Sequence, residues 1–409
     1  MTARDLIDQL RSLKSYLITL GRLNFVELLL IEQIDSKLLC AKSGFNLLHE
    51  ANNIELFLVK FLNQKKGTIK WDDETRQAIH TCFKQNNLSE LLRLKGQYEK
   101  NCFKELCMLK AAVRNDLLIY QLSPTLLNIA SLLNWNGELM APEPKALETL
   151  GAKNAKRVLF GPSTMQVDKV FNPTYDILNS PSPEFGETLE EIVPYFWSLS
   201  LREILASELC ALSIVEYDNL PIQFYWDFAK QSWDEARHSK IYLGLSLSFF
   251  NDVETKLDEK SPIRRAVIAF NKGEAGLPVP KEKNMYEAIV NAELEERLIL
   301  MNILTEAPAI ARLTGKMKKG ICSEYPEIKR VLEFDKIDET FHARIGSYWL
   351  KHLIPDSKIR GQKIEDTKIL RGFLLLTSLS QYSKLNLPEM ALNLQHKSNL
   401  QVKTDKMTA

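Results

Sequence analysis

Two of the chain's six histidines stand in the same frame. One frame is Asp234-Glu235-Ala236-Arg237-His238 and the other is Asp338-Glu339-Thr340-Phe341-His342. On an α-helix, residues i and i+3 project from one face about 4.5 Å apart along the axis, so each pair can present a carboxylate and an imidazole to one metal ion. Two such helices facing each other supply one Glu-x-x-His per metal, and a glutamate from each of two further helices completes a two-metal site. Asp234 and Asp338 are placed to accept the second N–H of each histidine, which fixes the tautomer and raises basicity. Arg237 either holds that aspartate–histidine arrangement or pairs with a surface acid. Two imidazoles, many oxygens and no thiolate suit iron or manganese better than structural zinc.

The two further glutamates must come from the neighbouring helices. Glu208 lies in an apolar stripe of Leu201, Ile204, Leu205, Ala211, Leu212 and Val215. A buried unpaired carboxylate is costly, and coordination of a metal offsets that cost. Glu203 and Glu216 have more polar neighbours and read as surface residues. On the next helix Glu295 and Glu296 compete. Glu296 has the more apolar stripe (Ile289, Ala292, Ile299, Leu300, Ile303), whereas Glu295 faces Ala288, Asn291, Ala292 and Asn302, and periodicity leans to Glu296.

Four strong helical segments carry these residues, and helical periodicity runs through nearly the whole chain. The first spans about 187–217 with a break expected near Pro194, and ends at Asp218-Asn219-Leu220-Pro221. The second runs to about 250. A connection with a short helix around 263–271 and a coil over 273–283 leads to the third, about 284–305, closed by Pro308. The fourth covers about 327–353, closed by Pro355, and a last helix is expected over 367–385 before a polar tail. Ahead of these, residues 1–135 read as amphipathic helices, with Leu6, Leu10, Leu13, Leu17 and Leu20 on one stripe. Residues 136–186 are rich in Pro, Gly, Asn and Ser and read as an irregular arm or lid, with one short helix near 145–149. The chain divides accordingly into 1–135, 136–186, 187–355 and 356–409, and is all-α.

Bulk composition narrows the functions open to this chain of 409 residues. A net charge of +1 offers no footprint for nucleic acid or an anionic membrane. No segment reads as a secretory signal or a membrane span. Six scattered cysteines without a Cys-x-x-Cys pair indicate reduced, buried thiols and a cytoplasmic location. His49, His80, His352 and His396 have no ligand-like frame, and Tyr225, Trp226, Phe228, Trp233, Tyr242, Tyr348 and Trp349 read as core.

Asp234-Glu235-Ala236-Arg237-His238 resembles the second-helix motif of di-iron carboxylate oxygenases and their ferritin-like relatives. Residues about 187–355 resemble more closely an uncharacterised family of ferritin-like proteins, classed as a domain of unknown function. Ala206-Ser207-Glu208-Leu209, Asn219-Leu220-Pro221, Glu295-Glu296-Arg297, Asp338-Glu339, His342-Ala343 and Gly346 carry that resemblance. It implies a ferritin-like four-helix bundle, and its Glu-x-Arg on the third helix moves the choice there to Glu295, with Glu296 open. The implied metal set is Glu208, Glu235, His238, Glu295, Glu339 and His342, with Asp234, Asp338 and Arg237 around it, holding two iron ions or an iron and a manganese. Phe341, where the commoner pattern has arginine, and the long N-terminal region are departures that bear on substrate rather than ligands. The expected activity is an O2-dependent oxidase or oxygenase of a small molecule, drawing on an electron donor. The alternative is a ferroxidase-type metal-binding protein without organic substrate.

Overall fold

The computed structural model describes residues 3–31, 34–85, 87–113, 122–133, 156–157, 184–259, 264–265, 268, 289–290 and 292–377. The expected helix near 145–149, the coil over 273–283, His396 and the polar tail lie outside them, as do the lid reading of the arm and most of the expected short helix at 263–271.

The described residues are all-α apart from two small ribbons. Helices α1 (Ala3–Leu30), α2 (Ile34–Leu62), α3 (Asp73–Gln85), α4 (Leu88–Val113) and α5 (Ser123–Leu132) come first. Leu6, Leu10, Leu13, Leu17 and Leu20 are all buried, as their spacing predicts. Then follow α6 (Leu189–Glu216) and α7 (Ile222–Val253). A five-residue α8 (Leu294–Leu298) runs directly into a π-helix over Ile299–Glu306 and on into α9 (Ala307–Lys316). The one-turn α10 (Ile321–Glu324), α11 (Pro326–Leu353) and α12 (Ser357–Thr377) complete the order. Among the described residues no helix is long and apolar enough to cross a membrane.

Three helix boundaries depart from expectation. Pro194 does not break α6. It forfeits the bond to the Glu190 carbonyl, but Ile192, Val193, Tyr195, Phe196 and Trp197 are buried around it and hold the helix together. Pro308 does not close the third helix either; it occupies the first turn of α9, where a missing N–H is tolerated once the widened π-turns before it have shifted the bonding pattern. The last helix begins ten residues earlier than its hydrophobic pattern indicates, at Ser357.

The pairing of α6 with α7 fixes the level of everything on them. Ser207 donates to the Ser232 carbonyl at 2.8 Å, Ser232 donates to the Ser207 carbonyl at 3.0 Å, and Ser246 donates to the Val193 carbonyl at 2.9 Å. Ser200 and Ser239 face each other at 3.4 Å between hydroxyls. These small residues recur every seven positions and let two antiparallel backbones approach closely.

The N-terminal helices pack on the same pair, α1 against α6 and α2 against α7. Residues Thr68–Ile69 (β1) pair antiparallel with Leu220–Pro221 (β4), and Lys156–Arg157 (β2) pair with Tyr217–Asp218 (β3). Both ribbons clasp the α6–α7 turn, where Asn219 takes a left-handed φ of 63°. Fully buried Arg22 closes the joint. It donates to the carbonyls of Ile214 (3.1 Å), Val215 (3.2 Å) and Tyr217 (3.1 Å), and to Asp218 at 2.9 Å. Its guanidinium lies 3.9 Å from the Trp71 ring centroid. A cation at the C-terminus of α6 thus satisfies carbonyls that the helix leaves unpaired.

Candidate metal centre

Four elements meet in a buried cluster of carboxylates and imidazoles. One group is Glu203, Glu235, His238 and Glu339, and a second is Glu235, Glu306 and His342; within each group one ligand atom per residue lies within 4.8 Å of all the others. Glu235 belongs to both groups. Glu339 reaches towards the second as well, 3.7 Å from Nδ1 of His342.

The two histidine frames are brought together, and their aspartates are exchanged. Nε2 of His238 on α7 lies 3.1 Å from Asp338 of α11, and Nε2 of His342 on α11 lies 3.2 Å from Asp234 of α7. Each Nδ1 faces the cluster, His238 at 3.3 Å from Glu235 Oε2 and His342 at 3.0 Å from Glu235 Oε1. Arg237 bridges the aspartates, donating to Asp234 at 2.7 Å and to Asp338 at 2.8 Å, and Lys230 also donates to Asp234. Of the two readings of Arg237, the one that ties the aspartates is the one realised.

Glu208 and Glu295 are not brought to the cluster. Glu208 is buried but meets the ammonium of Lys37 at 2.5 Å, and that ammonium also donates to the Leu28 carbonyl at 2.8 Å. The apolar stripe around Glu208 is therefore an interface with α1 and α2. Its place is taken by Glu203, five residues and more than one turn earlier. The register explains the exchange: with Ser207 opposite Ser232 and Ser200 opposite Ser239, Glu203 is level with Glu235, and Glu208 stands below it.

On the third helix Glu295 is half-buried, and Glu296 accepts from Lys363 at 2.5 Å. The carboxylate that reaches the cluster is Glu306, three turns later. It lies at the last position of the π-helix, beyond the point where the sequence pattern ends this helix. Asn302, one turn before it, donates to Gln231 at 2.8 Å and to the His342 carbonyl at 3.0 Å. Gln231 in turn donates to Glu235 at 3.3 Å and Glu306 at 3.4 Å.

Three further residues depart from or add to the sequence reading. Glu203, read as exposed, is half-buried, and Glu216 is fully buried in an ion pair with Arg297 at 2.8 Å. Arg297 also donates to Ser213 at 3.1 Å, so the Glu-x-Arg of this helix holds α6 by its arginine. Asp335, one turn before Glu339 on α11, is buried 3.4 Å from Nδ1 of His238 and accepts from the Tyr242 hydroxyl. Its place at i−4 from Glu339 and i−7 from His342 was a signal the sequence offered.

The electrostatics are those of too many acids in one place. Burial first, then Glu235 and Asp335, push Glu203 well above the usual carboxylate range. Burial and the neighbouring Glu306 and Glu235 do the same to Glu339, and burial followed by Glu235 takes Glu306 to about 7. Burial also opposes ionisation of Glu235, but the His342 and His238 imidazoles outweigh it and hold that carboxyl far below the usual range. Burial lowers His342, yet Glu235 and Asp234 bring it up to about 10.

These residues fit a pair of divalent cations. Asp335 Oδ1, Glu339 Oε2 and His342 Nδ1 are buried without an aligned hydrogen-bond partner among the described residues, an expensive arrangement for a core. Four glutamates that repel one another would be neutralised by two divalent ions, and the two Nδ1 atoms are left facing inward by their Nε2 partners. A cavity of about 160 Å³ opens on Glu203, Glu306, Asp335 and Glu339.

Comparisons with known protein families, with curated proteins and with solved structures gave no match to this chain, so the buried carboxylate–histidine cluster of an all-α protein is what its function must be argued from.

Proposed function

We propose that the cluster holds two metal ions, iron at both positions or iron and manganese, in a four-helix arrangement of the ferritin-like kind. Glu203 and His238 would hold one ion and Glu306 and His342 the other, with Glu235 and Glu339 within reach of both groups. The observation that carries this reading is the convergence of these six side chains together with the aspartate held behind each histidine. An oxygen- and imidazole-rich set without thiolate favours iron and manganese.

Bound there, a redox-active pair would supply activation of O2. The protein's own contribution is placement. Asp338 and Asp234 fix the tautomers of His238 and His342, Arg237 ties the two aspartates to each other, and Gln231 and Asn302 tie α7, the π-helix and α11 at one level. Burial of the cluster excludes bulk water from it.

Between the two expected activities, an oxidase or oxygenase of a small molecule is favoured over a ferroxidase. The cavity beside the cluster is walled by Arg202, Arg312 and Lys316 as well as by acids. A cavity of about 160 Å³ leaves room beside the cluster for a small organic molecule, which a ferroxidase does not need. An electron donor is part of this proposal.

Metal stoichiometry after anaerobic Fe(II) loading tests it. Two ions per chain are expected, falling in Glu339→Ala and His342→Ala, with an optical change when O2 is admitted. Wild-type protein that binds no iron above background would sink the two-metal reading. Two ions with no response to O2 would remove the oxidase and leave a metal-binding protein.

A further inference from the structure

The two histidines of the cluster are not met alike. Nδ1 of His342 lies 3.0 Å from Glu235 and 3.7 Å from Glu339, the two acids within reach of both groups. Nδ1 of His238 lies 3.3 Å from Glu235 and also 3.4 Å from Oδ1 of Asp335. Asp335 stands on α11, one turn before Glu339, and is only 4% exposed. Among the described residues no carboxylate other than Glu235 and Glu339 comes within ion-pair distance of Nδ1 of His342.

The two oxygens of Asp335 are used differently. Oδ2 accepts from the hydroxyl of Tyr242, whose buried ring stacks on Phe196 at 5.2 Å between centroids. That contact holds the carboxylate and leaves Oδ1 turned to His238, with no aligned hydrogen-bond partner among the described residues. An ion pair with the imidazole accounts for Oδ1 only while that nitrogen carries a hydrogen. An Nδ1 that ligates a metal has none to give, and Oδ1 would then be a buried acceptor with nothing to accept. Asp335 also acts on the Lys316 ammonium in the same cavity, but without forming an ion pair, and that ammonium donates to the Tyr195 hydroxyl.

The separations are those of neighbouring ligands. Two ligands about 2.1 Å from an octahedral ion stand about 3 Å apart when adjacent. Glu235 and Asp335 lie at nearly equal distances from Nδ1 of His238, 3.3 and 3.4 Å, so a small contraction brings either onto an ion bound to that nitrogen. Asp335 lines the same cavity as Glu203 and Glu339.

We propose that Asp335 is a further protein ligand, binding through Oδ1 the ion held by Glu203 and His238. This rests on the two-metal reading of the cluster. It makes the two positions unequal, with Glu203, His238 and Asp335 belonging to one and Glu306 and His342 to the other. An added carboxylate brings both charge and an oxygen donor, so the His238 position fills first and is the better seat for manganese.

The test is calorimetric titration of the full metal-free chain with Mn(II), together with absorption spectra after loading with Co(II). Wild-type protein is expected to take two Mn(II) ions, the first about tenfold or more tighter than the second. Asp335→Asn keeps an acceptor for Tyr242 and should weaken the tighter event by about tenfold or more while leaving the other in place. His238→Ala should remove the same event, and His342→Ala the other. In Asp335→Cys a sulfur-to-Co(II) charge-transfer band absent from the wild type should appear, which a residue acting only through another would not produce. Circular dichroism confirms that each variant is folded. Two wild-type ions of equal affinity, equal weakening of both or of neither in folded Asp335→Asn, or no new band in folded, Co(II)-loaded Asp335→Cys would overturn the proposal. Any of these results in a protein that still takes two ions removes Asp335 alone. A wild type that takes up no metal removes the two-metal reading and this ligand with it.

Discussion

Glu203 and Glu208 sit five residues apart on α6 and have opposite fates, one facing the cluster and one facing Lys37. Replacing them should separate the two roles. Glu203→Ala is expected to cut bound iron from two ions towards one with little loss of stability, because it relieves repulsion among acids. Glu208→Ala should leave the Lys37 ammonium buried and unpaired, costing about 3–5 kcal/mol in urea denaturation while iron stoichiometry is kept. The reverse pattern would restore Glu208 to the metals. Both Glu-x-x-His frames and their aspartates were legible because each is local to one helix, and spacing alone places its members on one face. Glu208 misled because its partner lies 171 residues away, where no helical periodicity reaches. Glu306 was hidden by Pro308, which ends an ordinary α-helix but not one relieved by π-turns.

The elements around the cluster are matched to one another closely enough that small changes travel. A methyl group at Gly346 of α11 would overlap Asn302 Cβ on the π-helix, so the two elements touch there backbone to side chain. Gly346→Ala should therefore lower stability by about 1–3 kcal/mol. It should also loosen iron binding by parting Asn302 from the His342 carbonyl, measured by denaturation and by iron retention on dialysis. Further along, Asp227 of α7 accepts from Trp349 of α11 at 2.7 Å and from Gln223 at 2.8 Å. Burial raises its pKa from 3.8 to about 6 despite those two bonds. A raised carboxyl favours the folded state while protonated, so its contribution is full below about pH 4 and lost as pH climbs through 6. The loss amounts to about 3 kcal/mol. Asp227→Asn, which cannot ionise, should flatten the stability profile of the wild type between pH 4 and 6, as read from melting at each pH. An unchanged slope would mean that this carboxyl titrates normally. Which helices exist could be seen in the hydrophobic pattern, but not how far one slides along the next. That level is set by the serine ladder of α6 and α7, and only the pairing of the two helices reveals it.

At the scale of the molecule, the all-α character was plain from periodicity, whereas the relation of the N-terminal helices to the rest was not. It depends on two cations, Arg22 and Lys37, that look like ordinary surface residues until their partners are known. Arg22→Met should remove donors from three carbonyls and Asp218 at once, destabilising the protein by about 3–5 kcal/mol. Because α1 and α2 pack directly on α6 and α7, unfolding of that variant followed by fluorescence and by circular dichroism should remain one coincident transition. Two separated transitions would mean that the N-terminal helices unfold independently. The same guanidinium has a consequence for synthesis on the ribosome. Its first partner lies 192 residues downstream, an interval of about 10–40 s at roughly 5–20 residues per second. Throughout that time α1 and α2 exist without the surface they are shaped to cover, so the nascent chain carries an open apolar face that a chaperone can occupy until α6, and then α7, emerge.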